Sequence, residues 1–323
     1  MTQFLLLKEH IRNIYQKYSS LFHLLLRFIM GFFTFLSINR VVGYQPILHH
    51  VYVEILLGLV SMIMPAEIMV FLAAVFVIVH VFYVSRILAL SVAVIFLILY
   101  LLYVQFVPKH GYIILAVPIA FALGVPYGIP VLLGLMFSTV SIIPMSIGIG
   151  IYYLLCALTS VVASASDDTM NLFQVLMDQM LENQEMYITL CIFAVVLVVV
   201  YAIRNLRQDY SFEMAVFVGM ILNTILLLIK NYLLAININI LYFILGTLLS
   251  GALVWLIQLF RITLNYASVE NLQFEDEEYY YYVRAVPKMS VTTRNKRVKR
   301  FNAHLFERSE MKQDSEQEHF PTK

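Results

Sequence analysis

GYIILAVPIAFALGVPYGIPVLLGLMFSTVSIIPMSIGIGIYYLLCALTSVVASAS, residues 111–166, contains no Asp, Glu, Lys or Arg. An uncharged run of this kind belongs in a lipid bilayer, where roughly 20 helical residues cross the hydrocarbon core. It is too long for one crossing. It is also broken by Pro118, Pro126, Pro130 and Pro144, with Gly124, Gly128, Gly134, Gly148 and Gly150 between and beyond them. The simplest parse is two short helices, 111–124 and 126–140, and a full one, 141–163. A helix of about 14 residues rises only about 21 Å, short of the roughly 30 Å core. The short pair is therefore either two thin spans or one re-entrant hairpin.

The rest of the chain supports a membrane setting. Of 323 residues, 61% are hydrophobic and 13% charged, against about 45–50% and about 25% in an ordinary soluble domain. The mean hydropathy is +0.84. Apolar runs near spanning length recur at 20–39, 48–64, 66–85 and 87–107, and again at 188–203, 212–230 and 236–260. The expected fold is an all-α polytopic membrane bundle of eight to ten spans over 20–260. An amphipathic lead-in, 1–19, precedes it, and a tail, 261–323, follows. The lead-in places its short apolar patch before Lys8, the reverse of a signal peptide, and is read as retained.

Residues 168–187 are different in kind. Their charges, Asp168, Asp178, Glu182 and Glu185, are all acidic, and Met170, Phe173, Met177, Met180 and Leu181 recur at helical steps. This is the pattern of an amphipathic helix with Asp168 as its cap. Helices that grip lipid usually carry Lys or Arg, so packing on the protein's own bundle is preferred to lipid capture. Short loops rich in Lys and Arg stay cytoplasmic. Lys8, Arg12 and Lys17, then Arg204 and Arg207, then Arg294, Lys296, Arg297, Lys299 and Arg300 place both termini inside, and the acidic helix outside. Arg40 and Arg86 fall outside, singly.

Ionisable groups inside spans cost about 2.5–3.5 kcal/mol at the centre, so the few present matter. Arg27, Glu54, His80 and the neutral Asn223 are the intramembrane polar candidates. Arg27 reads as snorkelling to the interface or as paired with an acid; Glu54 and His80 as paired with each other or with Arg27. His50 and Glu54 share a helix face, but an i, i+4 pair is far from the four convergent ligands of a zinc site. Cys156 and Cys191 both lie in apolar runs and read as inert buried thiols. There is no H-E-x-x-H, no G-x-S-x-G and no Walker lysine motif. No catalytic residue, metal or cofactor is assigned, an enzyme is disfavoured, and nothing points to nucleic acid.

Two features carry the functional expectations. Broken helices in transporters place backbone groups at midplane solute sites, and non-helical backbone at that depth must be buried or line a cavity. Pro126, Tyr127, Pro130, Ser141, Pro144, Ser146 and Tyr152 are the candidate solute-binding residues, and the lining they imply is neutral. The alternative is that the breaks are packing irregularities. The other feature is the tail, where Glu275 and Glu277 precede Tyr279, Tyr280, Tyr281 and Tyr282. Aromatic and β-branched residues suggest a strand there. A lone strand needs a partner: another copy, another protein or the membrane surface. A permease or transport component for a neutral or amphipathic solute, and an anchor whose tail docks a cytoplasmic protein, both remain open.

Overall fold

The computed structural model describes residues 18–106, 110–163, 169–206, 210–236, 239–261, 270–275 and 280–285. Among the described residues eleven α-helices follow in order: α1 Ser19–Val42, α2 Val51–Ser61, α3 Ala66–Val84, α4 Arg86–Phe106, α5 Gly111–Ala122, α6 Ile129–Met136, α7 Ile142–Ala163, α8 Thr169–Leu181, α9 Gln184–Arg204, α10 Ser211–Leu233 and α11 Ile240–Arg261. A 3-10 turn, Pro126–Gly128, leads into α6. Seven helical stretches, those of α1, α3, α4, α7, α9, α10 and α11, are long and apolar enough to cross a membrane, and the chain is an all-α membrane bundle. Helices are the natural outcome, because a spanning segment in lipid must satisfy its backbone groups internally.

The run expected to span at 48–64 forms only the 11-residue α2, about 16 Å of helix. His50 is still extended at its start, and Pro65 is extended four residues past its end, so the apolar run is longer than the helix it makes.

Contacts between helices fix their directions. The backbone carbonyl of Arg27 accepts from Ser61 Oγ, and Gly31 abuts Ser61 and Met69, so the first half of α1, the end of α2 and the start of α3 share one end of the bundle. Gly111, which opens α5, meets Ala66 and Tyr103 at that same proximal end. At the distal end Asn39 Nδ2 donates to the Leu48 carbonyl, and the Gln45 amide donates to His80 Nδ1. Helix α7 runs parallel to α5: Gly148 abuts Val117 and the Ile114 carbonyl, and Ile151 and Leu155 share a small apolar cavity with Pro118 and Ala122. Helix α6 then runs back toward the proximal end. Gly134 packs on Leu197 and Val200, and the Arg204 guanidinium donates to the Leu135 carbonyl.

Helices α5 and α6 are thus the two arms of a re-entrant hairpin, entering and leaving at the proximal end. Among the described residues seven helices are long and apolar enough to cross a membrane, and α2, α5 and α6 are shorter.

Two buried clusters hold the bundle. One gathers Phe35, Met69, Val77, Leu88, Tyr103 and Leu158 from α1, α3, α4 and α7. The other gathers Val131, Met145, Phe193, Leu197, Val200, Ala215 and Val254 from α6, α7, α9, α10 and α11. Helices α5 and α7 contribute to both and form the seam. Outward, Leu90, Phe217, Tyr232, Leu241 and Leu248 are exposed, as a lipid-facing surface requires.

Helix α8 ends at Leu181, earlier than expected, because Asn183 caps the next helix: its Oδ1 accepts from the Met186 amide at 2.9 Å. Its inward face is Leu172 and Leu176, with Met177 and Met180 against the first cluster, while Phe173 and Leu181 point away. The helix packs on its own bundle.

In the tail, β1 Glu270–Glu275 pairs antiparallel with β2 Tyr280–Ala285, placing Glu275 opposite Tyr280 and Phe274 opposite Tyr281. The strand read at the tyrosines therefore finds its partner in the preceding segment of its own chain. Glu277, Tyr279, the basic cluster at 294–300, the lead-in 1–17 and Asp168 lie outside the described residues.

Candidate functional site

The site is built around the apex of the re-entrant hairpin, residues 123–128. Helix α5, with Pro118 inside it, ends at Ala122. Gly124 takes φ +73°, a left-handed conformation that L side chains adopt only with strain. Pro126 then starts the 3-10 turn. Backbone in such a bend cannot satisfy itself and needs partners from its neighbours. Asn223 of α10 supplies one, its Nδ2 donating to the Tyr127 carbonyl at 2.8 Å.

Helix α11 supplies the space. Gly246 lies against the Gly124 carbonyl and the Tyr127 ring, and Gly128 lies against Ser250 and Val254. The Tyr127 ring meets Phe243 edge-on, with centroids 5.3 Å apart. Of the small residues Gly246, Ser250 and Gly251 on α11, the first two seat the apex and Gly251 alone faces α10, at Met220.

Above the apex lies a cavity of about 940 Å³. Its walls are Phe121, Tyr127, Tyr152, Tyr153, Phe193 and Phe243, and Cys156, a free thiol, also lines it. Phe121 stacks on Tyr152 with centroids 4.3 Å apart and lies 6.1 Å from Phe193. Toward the distal end the lining turns polar, with Gln179, Glu182, Asn183, Asn231 and Asn239.

One wall carries an ion pair. Lys230 Nζ lies 2.9 Å from Glu185 Oε1 and 3.4 Å from Thr189 Oγ1. Thr189 Oγ1 also lies 3.2 Å from the Tyr153 hydroxyl and donates to the Glu185 carbonyl. The partners differ in setting: the Lys230 side chain is 8% exposed, that of Glu185 43%. Among the described residues this is the one Lys/Arg–carboxylate bridge. It overturns the neutral lining expected from the sequence.

The sequence-derived candidates divide. Pro126, Tyr127 and Tyr152 line the cavity. Pro130 is buried in α6, Pro144 in α7, and Ser141 is buried with its Oγ donating to the Ser138 carbonyl at 2.7 Å. Ser146 is half-buried on α7 and, like them, outside the cavity lining. Of the polar set, Asn223 fastens the apex. Glu54 Oε1 accepts from Asn39 Nδ2 at 2.9 Å, fully buried His80 accepts from the Gln45 amide, and Arg27 reaches the Met62 carbonyl at 3.5 Å. Glu54 and His80 are engaged by the α1–α2 connection and its flanks, where the sequence suggested pairing with each other or with Arg27.

Lys230, Glu185 and Thr189 were missed. Lys230 marks the end of an apolar run and Glu185 sits in an acidic segment, so each reads as interfacial. The available signal was the i, i+4 spacing of Glu185 and Thr189 on one face, with a lone Lys230 three residues inside its helix end. Among the described residues no three His, Cys, Asp or Glu side chains converge on a metal site. Comparison with protein-family models, curated proteins and solved structures finds no match.

Proposed function

We propose that this multi-pass membrane protein is a permease, or the membrane component of a transport system, that takes an amphipathic solute into the cavity above the re-entrant apex. The observation that carries the reading is the apex itself: a bend between two short apolar helices, seated on the small residues of α11, lines a cavity of about 940 Å³. Ligand sites commonly enclose about 300–1,000 Å³ of mostly apolar wall with a few placed polar groups, and this cavity has both. On this reading the membrane is the cell membrane, the proximal end is cytoplasmic, and the cavity faces outward between Glu182 and Asn239.

Cys156 gives the test. In a Cys191→Ser background, a charged, membrane-impermeant thiol reagent is applied to vesicles of each orientation. A permease exposes Cys156 to either side in turn, so both orientations label and solute shifts the balance. Labelling from the distal side alone, unaffected by any solute, overturns the reading.

The β1–β2 hairpin favours a second reading, an anchor whose tail docks a cytoplasmic protein, because a two-stranded sheet leaves both outer edges open to pairing. Truncation after Ala267 then abolishes partner capture and leaves solute flux intact; a permease without a docking role loses neither.

A further inference from the structure

We infer that the solute is an amphipathic anion, with its carboxylate or phosphate on Lys230 and its body against the aromatic wall. This rests on the cavity reading above and adds the chemical class.

The argument begins with the inequality of the ion pair. Lys230 is nearly buried, and a buried charge requires a counter-charge. Glu185 does not need Lys230. It is half-exposed to water and lies in the first turn of α9, where the positive end of the helix also sustains a carboxylate. An ammonium has three donors, of which Glu185 and Thr189 hold two. An incoming anion therefore takes Lys230 while Glu185 turns to water at small cost.

The remaining charge in the lining agrees. The other carboxylate, Glu182, is exposed. Among the described residues of the lining, the one deeply held charge is positive. A cationic head placed against the same wall would meet Lys230 and compete with water for acids already solvated.

The cavity also sets the body. A bare phosphate leaves most of about 940 Å³ unfilled. Phe121, Tyr152, Phe193 and Phe243 line the same cavity as Lys230 and give it an aromatic, largely apolar wall. A flat or branched apolar body covers this wall. Such an anion comes either from the bilayer, as a phosphate-bearing lipid, or from water, as a soluble amphiphile.

The test uses the full chain in phosphatidylcholine nanodiscs and three fluorescent probes of equal body: 2-naphthyl phosphate, 2-naphthyl glucoside and 2-naphthylmethyl-trimethylammonium. The phosphate binds best. Lys230→Met weakens it about thirtyfold or more, and Glu185→Gln, by removing the competitor, tightens it. Neither change moves the glucoside. The double variant Lys230→Met/Glu185→Gln carries no charge at the pair, folds without a buried orphan, and still fails to bind the phosphate, which separates recognition from stability. Adding phosphatidylglycerol to the discs displaces the probe if the source is lipid and leaves it bound if the source is soluble; either result is consistent with the anion class. Preference for the ammonium probe, weakened by Glu185→Gln, overturns the class and leaves the cavity reading standing. If no probe binds and none protects Cys156, the cavity reading falls and this inference with it.

Discussion

The side-chain amide of Asn223 donates to the backbone carbonyl of Tyr127 at 2.8 Å, tying the middle of α10 to the bend of the re-entrant hairpin. A backbone carbonyl only accepts, so the amide orientation follows from the chemistry and its nitrogen must face Tyr127. Asn223 is fully buried. Asn223→Leu keeps the branched four-atom shape of the side chain and leaves the carbonyl unpaired, at a cost of about 1–3 kcal/mol. The variant should unfold at a lower temperature in detergent and lose solute protection of Cys156. Asn223→Gln, which keeps a donor, should recover part of the loss.

Two glycines on α11 differ in what a methyl group would strike. At Gly246 it would lie 2.8 Å from the Gly124 carbonyl and 2.8 Å from the Tyr127 ring, both part of the apex. At Gly251 it would lie 3.3 Å from the terminal methyl of Met220, a flexible side chain that yields. Gly246→Ala should displace the apex and change the reactivity of Cys156. Gly251→Ala should leave reactivity unchanged and alter the unfolding temperature little. Equal effects at both positions would show that the apex does not dock on this face.

Helix α8 offers a third comparison. Leu176 is fully buried against the first cluster, while Phe173, three residues away on the same helix, is 44% exposed. Leu176→Ala should cost about 2–4 kcal/mol, the range for emptying a packed leucine site. Phe173→Ala should be nearly neutral in detergent. Thermal unfolding of the two variants checks which face holds the helix, and a larger loss at Phe173 would reverse the assignment.

The bundle was legible in the sequence because lipid imposes one rule on every apolar run, that a spanning backbone satisfies itself as helix. The long helices α1, α3, α4, α7, α9, α10 and α11 follow from that rule alone. Composition does not count crossings when helices are short: α2 is shorter than its apolar run, and α5 and α6 fit two thin spans as well as one hairpin. The difference lies in Gly134 packing on Val200 and Gly148 on Val117, contacts distant in sequence. The site was half legible for the same reason. Gly124, Pro126 and Tyr127 announce a bend locally. Lys230 and Glu185 acquire their meaning only when the end of α10 meets the start of α9, 45 residues apart in the chain.

That meeting supports a last prediction, about which partner of the pair the fold depends on. Removing Glu185 leaves Lys230 at 8% exposure with only the Thr189 hydroxyl, whereas removing Lys230 leaves Glu185 at 43% exposure, in water and at a helix start. Breaking a fully buried pair costs about 3–5 kcal/mol, and the hydration of Glu185 scales this down. Glu185→Ala should therefore cost about 2 kcal/mol, while Lys230→Met, whose thioether chain fills the same volume, should cost under about 1 kcal/mol. Unfolding in detergent at low and high salt separates the two, because a buried unpaired cation is screened little. Glu185→Ala should stay destabilised in both. A larger loss for Lys230→Met would mean that Glu185, not Lys230, is the partner in need, and the exchange of Glu185 for a solute anion would no longer follow.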